Sequence, residues 1–122
     1  NTTPAASKIN TFGAFPGGAN LAGSINGTSN GIVWTTTNAA STFSTLRAGT
    51  LRALNPSTLD EYWNSGTRAT DALGTIAKFA SPTIANGRVF VATQDSAVAV
   101  YGLAASSTQG GTVSIGGKSN GQ

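Results

Sequence analysis

General acid–base, nucleophilic and metal chemistry each need particular side chains, and this sequence holds few of them. It has no histidine and no cysteine, so it lacks the usual base at neutral pH, the commonest metal ligand and a thiol nucleophile. Its four carboxylates are Asp60, Glu61, Asp71 and Asp95. Asp60 and Glu61 are adjacent, and adjacent residues of a strand point to opposite faces, so they cannot act as a paired acid and base. Asp71 could serve as a ligand, but in a loop its carboxylate suits capping and turn hydrogen bonds better, and Asp95 fits a hairpin turn for the same reason. Serine and threonine are abundant, yet none has an evident activating partner. The Gly-rich stretches match no phosphate-binding loop. No catalytic, cofactor-binding or metal-ligating residue is assigned. Asn1-Thr-Thr and Asn26-Gly-Thr are formal N-glycosylation acceptors, meaningful only where the source has the machinery.

The elements that would position any site are β-strands. Pro82-Thr-Ile-Ala, then Asn86-Gly87, then Arg88–Thr93, Gln94-Asp95-Ser96 and Ala97–Leu103 read as three strands separated by two turns. Asn-Gly between apolar runs predicts a two-residue type I′ hairpin, because both residues tolerate positive φ. Residues 88–93 and 97–103 are almost continuously apolar, which predicts a sheet covered on both faces. Upstream, Leu21–Ile25, Ile32–Thr35, Thr50–Asn55 and Asp60–Asn64 read as four strands, with Asn30-Gly31 as the turn before the second and Pro56-Ser57 starting another. Residues 36–48 are expected to be a Thr/Ser/Ala-rich loop, and residues 65–78 a long connection. Asn30-Gly-Ile-Val-Trp and Asn86-Gly-Arg-Val-Phe repeat one turn-then-strand pattern 56 positions apart, as in an internal structural repeat. The second copy has three clear strands. Gly111–Gly116, with Val113 and Ile115 alternating, is the internal candidate for a fourth. The expected core is Val33, Trp34, Leu51, Ala53, Trp63, Ile84, Val89, Val91, Val98 and Val100.

In order and spacing these runs resemble the closing part of bacterial β-propellers with pyrroloquinoline-quinone (PQQ)-like repeats. The resemblance is carried by Phe15-Pro-Gly-Gly18, Asn26–Trp34, Gly49–Asn55, Glu61-Tyr-Trp-Asn64, Asp71-Ala-Leu-Gly74, Lys78-Phe79, Pro82–Thr93 and Val100-Tyr-Gly-Leu103, over roughly residues 12–103. It implies an all-β fold of two four-stranded antiparallel blades from a partial propeller. These blades would be residues 12–64 and 65–103, flanked by an N-terminal arm, 1–11, and a Gly/Ser-rich tail, 104–122. Phe12 and Phe15 would anchor the entry segment against a neighbouring blade. Quinone-dependent members hold their cofactor with carboxylates, a basic residue, an ion and a stacking Trp. Here Asn55 replaces the repeat's Asp, Leu59 its turn Gly, and Ala22-Gly-Ser24 a Pro-Ser pair. The repeat's Trp mostly packs blade on blade, so Trp63, and with it Trp34, is read as a packing residue. Neither PQQ nor calcium is expected to bind this chain.

At 122 residues the chain can build one core but is too short for a closed propeller. It is expected to be part of a larger propeller, or a subunit completed by other chains or copies of itself, and its start at Asn1 suggests processing or truncation. Charged residues make up 9%, against roughly 25% in ordinary soluble domains, a surface suited to an extracellular or periplasmic setting. The seven cations are scattered, so no nucleic-acid footprint is read, and no apolar run reaches the ~20 residues of a membrane span. The leading expectation is a non-catalytic extracellular scaffold or binding module. The alternatives are the C-terminal piece of a PQQ-dependent quinoprotein dehydrogenase, with its catalytic residues elsewhere, and a self-assembling subunit of an extracellular filament.

Overall fold

The computed structural model describes residues 20–38 and 47–102, together with Ala5, Lys8 and Ile9. These residues are mostly β, in two antiparallel sheets, with one 3-10 turn at Ala69–Asp71 and no α-helix among them. The first sheet runs β1 (Asn20–Asn26), β2 (Ser29–Asn38), β3 (Gly49–Leu54), β4 (Glu61–Asn64), and the second β5 (Thr83–Ala85), β6 (Arg88–Ala92), β7 (Val98–Gly102). Each strand pairs with its sequence neighbour, as short connections favour. The expected N-terminal arm lies largely outside the described residues. So do the Phe12–Gly18 entry segment, the Asn1 acceptor and the 104–122 tail with its 111–116 strand.

Turn chemistry sets the registers. Asn86 (φ 50°) and Gly87 (φ 69°) both take positive φ, and Ala85 pairs with Arg88 across them, the two-residue hairpin that Asn-Gly favours. The parallel expectation for Asn30-Gly31 is corrected. The β1–β2 turn is Gly27-Thr28, closed by the pair Asn26↔Ser29, with positive φ at Gly27 (60°) but not at Thr28, the pattern of a type II′ turn. Asn30 (φ 56°) lies inside β2, where the register slips by one residue. This bulge absorbs the extra residue, so that Ile32 and Trp34 pair with Ser24 and Ala22. β2 also continues to Asn38, past the expected loop start at 36, because Thr36, Thr37 and Asn38 pair with Leu51, Thr50 and Gly49.

The β3–β4 loop is organised by Asn55. Its side-chain oxygen accepts from the backbone N–H of Ser57 (2.8 Å) and Thr58 (3.1 Å). Its backbone bonds Leu59 N–H and Asp60 C=O, both at 2.8 Å. Leu59 closes the loop at φ 59°, a left-handed position that strains a residue with a Cβ.

The sheets meet through one apolar layer. Trp34, Leu51 and Trp63 of the first pack with Ile84, Val89, Val91, Ala99 and Tyr101 of the second, together with Leu73 and Ile76 of the connection between sheets. That connection is stitched to both. Gly49 N–H donates to Gly74 C=O (3.1 Å), Gln94 N–H to Thr75 C=O (2.8 Å) and Ala77 N–H to Ala92 C=O (3.3 Å). Ile76 sits so close over Gly49 that a Cβ there would lie 2.0 Å from its Cγ2.

Of the expected core, Leu51, Ala53, Val89 and Val91 are buried, while Val33, Trp34, Trp63, Ile84 and Val100 are half-buried. Val98 is corrected, being 42% exposed. Pairing of Val89 with Tyr101 and Val91 with Ala99 turns those residues inward and leaves Val98 and Val100 on the opposite face. Leu54, Leu73, Ile76 and Tyr101 complete the buried set.

Two outcomes follow. Gly49→Ala should lower stability by about 2–3 kcal/mol in denaturant unfolding, because the β-branched Ile76 has no free rotamer to retreat into. An unchanged midpoint would show that the sheets slide apart freely. Leu59→Gly should raise stability by about 0.5–1 kcal/mol, the relief of left-handed strain less the backbone entropy of glycine. A loss there would mean that Leu59's packing outweighs its strain.

Candidate functional site

The four carboxylates do not converge. Asp60 precedes β4 rather than beginning it. Glu61 is paired with Arg52 and accepts from the Asn64 amide, and Arg52 also donates to Thr37 Oγ1 at 3.0 Å. Asp95 stands in the turn 94–96, where Ser96 takes φ 58° and Thr93 N–H and Oγ1 donate to Ala97 C=O at 3.0 and 2.8 Å. Asp71 is buried, its carboxylate accepting from Thr70 Oγ1 at 3.2 Å. Among the described residues no three of His, Cys, Asp and Glu gather as a metal site would require. No described helix is long and apolar enough to cross a membrane. Asn26 is exposed at the β1–β2 hairpin.

Aromatic residues come together instead. Tyr101 is 1% exposed, its ring edge-on to Trp63 with centroids 5.6 Å apart, and its hydroxyl donates to Asp71 C=O at 3.0 Å. Burial pushes the Tyr101 phenol up to about 12, a hydrogen bond with Ser65 pulling against this and the Asp71 carboxylate adding to it. Ser65 Oγ also accepts from Leu51 N–H at 3.0 Å. Such a phenol stays protonated at neutral pH and acts as a latch between β7 and the 69–71 turn. Trp63 is therefore a packing residue. So is Trp34, whose Nε1–H donates to Ser24 Oγ at 3.0 Å.

Two surfaces among the described residues are suited to binding. One is the outward face of the second sheet, formed by Thr83, Ala85, Arg88, Phe90, Ala92, Val98 and Val100. The expectation of cover on both faces of this sheet is met on one only, since Phe90 and Val100 are half-buried and Val98 exposed. The repeat explains which face this is. Trp34 pairs with Ala53 in the first sheet as Phe90 pairs with Val100 in the second, so the second sheet turns outward the face that the first turns inward. The other surface is an apolar cleft between the sheets, lined by Trp34, Trp63, Ile84 and Tyr101 among others. Sequence reasoning missed it, because its walls come from all seven strands and only their packing brings them together.

Tyr101 gives a pH signature. A phenol normally titrates at 10.0 and this one at about 12, so between those values the folded chain keeps a proton that the unfolded chain has lost. Its contribution is complete below pH 10.0 and falls as pH rises through about 12, by roughly 2–3 kcal/mol in all. Urea unfolding at stepped alkaline pH should show this loss. Tyr101→Phe should flatten it while costing about 1 kcal/mol at neutral pH. A wild-type curve as flat as the variant's would place the phenol in contact with water. In comparisons with protein-family models, curated proteins and solved structures, the chain matches none.

Proposed function

We propose that this chain is a non-catalytic scaffold or binding module of the PQQ-like propeller kind, exported to the extracellular space or periplasm, and completed by other chains or by a further part of its own polypeptide. The observation that carries this reading is the apolar outward face of the second sheet, where Phe90, Ala92, Val98 and Val100 surround a single charge, Arg88. A partly open apolar sheet face of this kind calls for a partner layer. The scarcity of charge, 9% of residues, agrees with a life among other protein surfaces, and the scattered carboxylates leave binding as the better use of the fold.

A filament of identical copies would set this face against the outward face of the first sheet. There Arg52, Glu61, Asn64 and Thr37 are hydrogen-bonded together beside Leu21, Val33 and Leu54, and this charged half of the face is a poor mate for Phe90 and Val100. That mismatch favours a different apolar sheet over a second copy as the natural partner. In its absence the face should still drive loose self-association.

Sedimentation over a range of concentrations tests the reading. The wild-type chain should associate as concentration rises. A Phe90→Ser, Val100→Thr double variant should remain monomeric with little change in Tm, since both positions face outward. Titration with calcium and PQQ should give no stoichiometric binding. A wild-type chain that is monomeric throughout, or micromolar cofactor binding with alcohol or sugar oxidation, would sink the proposal.

A further inference from the structure

The two sheets are joined tightly where Ile76 covers Gly49, and elsewhere between them a cleft of about 620 Å³ remains, half open to solvent. Ile32, Trp34, Trp63, Ile84, Val89 and Tyr101 form its walls, and no charged residue is among the described residues that line it. Its volume lies within the range of small-molecule sites, and its make-up is theirs as well, mostly apolar and aromatic with a few polar groups. Those polar groups are Ser24, Asn26 and Asn30, and the exposed side chains of Ile25 and Tyr62 also line it.

The rings are held in place before any ligand arrives. Trp34 Nε1–H is committed to Ser24 Oγ at 3.0 Å, Tyr101 OH to Asp71 C=O at 3.0 Å, and Trp63 stands at 66° to Tyr101. The Trp34 and Tyr101 donors are engaged by protein, and Trp34 and Trp63, both half-buried, offer the cleft ring surface. A charged ligand would lose its hydration and meet no counter-charge among the described lining residues. A flexible chain would give up rotational freedom that a rigid ring system does not have to lose. Fixed rings set at steep angles suit edge-on and offset contacts with another flat ring.

We infer that this cleft is a binding site for an uncharged, planar aromatic molecule of roughly two or three rings. The inference goes beyond the scaffold reading and does not depend on it, since the cleft and the outward face lie on opposite sides of the second sheet.

The test uses the full chain in dilute solution and N-phenyl-1-naphthylamine, an uncharged probe that fluoresces in apolar surroundings. Saturable binding of one probe per chain is expected, with the indole N–H resonances of Trp34 and Trp63 both shifting. Ile84→Trp, which fills the cleft, should weaken binding at least about tenfold, and Phe90→Ser, on the outward face, should leave it unchanged. The anion 1-naphthoate should bind at least about tenfold more weakly than the uncharged probe. Binding that does not saturate, that disappears with Phe90→Ser, or that is equally strong for the anion would overturn the inference. Should Ile84→Trp fail to fold, the wild-type indole resonances decide, and their failure to move rejects the site.

Discussion

The seat of Ile76 over Gly49 is the contact on which the arrangement of the two sheets depends. Each sheet is small, and alone it could bury only one side of a few strands. What fixes one against the other is the 74–77 segment, which hydrogen-bonds to β3 through Gly49 and to the end of β6 through Ala92, with bridges from Thr75 to Ala48 and from Ile76 to Thr93. Only glycine lets the backbone of β3 come so near to Ile76. Away from this contact the spacing is left to Trp34, Trp63 and Tyr101. Large rings packed edge-on hold surfaces further apart than a glycine under an isoleucine, so the sheets splay and the cleft opens among the aromatics. One close approach and one aromatic wedge thus account for both the core and the gap beside it.

Polar groups inside this layer serve position rather than reactivity. Ser65 accepts from Leu51 N–H, Tyr101 OH caps Asp71 C=O and Ser24 takes the Trp34 indole N–H. Each satisfies a group whose burial without a partner would be costly. Most of the charge interactions lie on the far side of the first sheet, in the cluster of Arg52, Glu61 and Asn64. The resulting asymmetry bears on the functional reading: the first sheet's outward face mixes this cluster with Leu21, Val33 and Leu54, whereas that of the second carries one charge, Arg88, among mostly apolar residues.

Much of the fold was legible in the sequence, because hairpins announce themselves locally. Asn86-Gly87 gave both its turn and its register, and the seven strands lie close to the expected runs. Asn30-Gly31 misled because the same dipeptide can make a turn or a bulge, and the choice was settled by Gly27, three residues earlier, which takes the turn itself. The inward face of β7 was hidden by its composition, since Val98, Ala99, Val100 and Tyr101 offer no polar alternation to read. The connection was harder still: Ala72–Ala77 carries no strand pattern, and its value lies in backbone hydrogen bonds to partners on two different sheets. The cleft could not be read at all, because it is a space left by side chains that are distant in sequence.

The repeat carries one further piece of physics that bears on the open face. Strand pairing matches Trp34 with Phe90, and the β1 position opposite Ile32, Ser24, with the β5 position opposite Arg88, Ala85. In the first sheet the indole brings a donor into the interface, and Ser24 is there to accept it. In the second sheet the ring has no donor and the matching position has no acceptor. The two differences agree: the Phe90 ring beside Ala85 brings no N–H in need of an acceptor, whereas Trp there would, and the polar groups on this face are those of Thr83 and Arg88. A residue meant to face water would gain nothing from that match. Phe90 and Ala85 are suited to lie under another layer, as Trp34 and Ser24 already do.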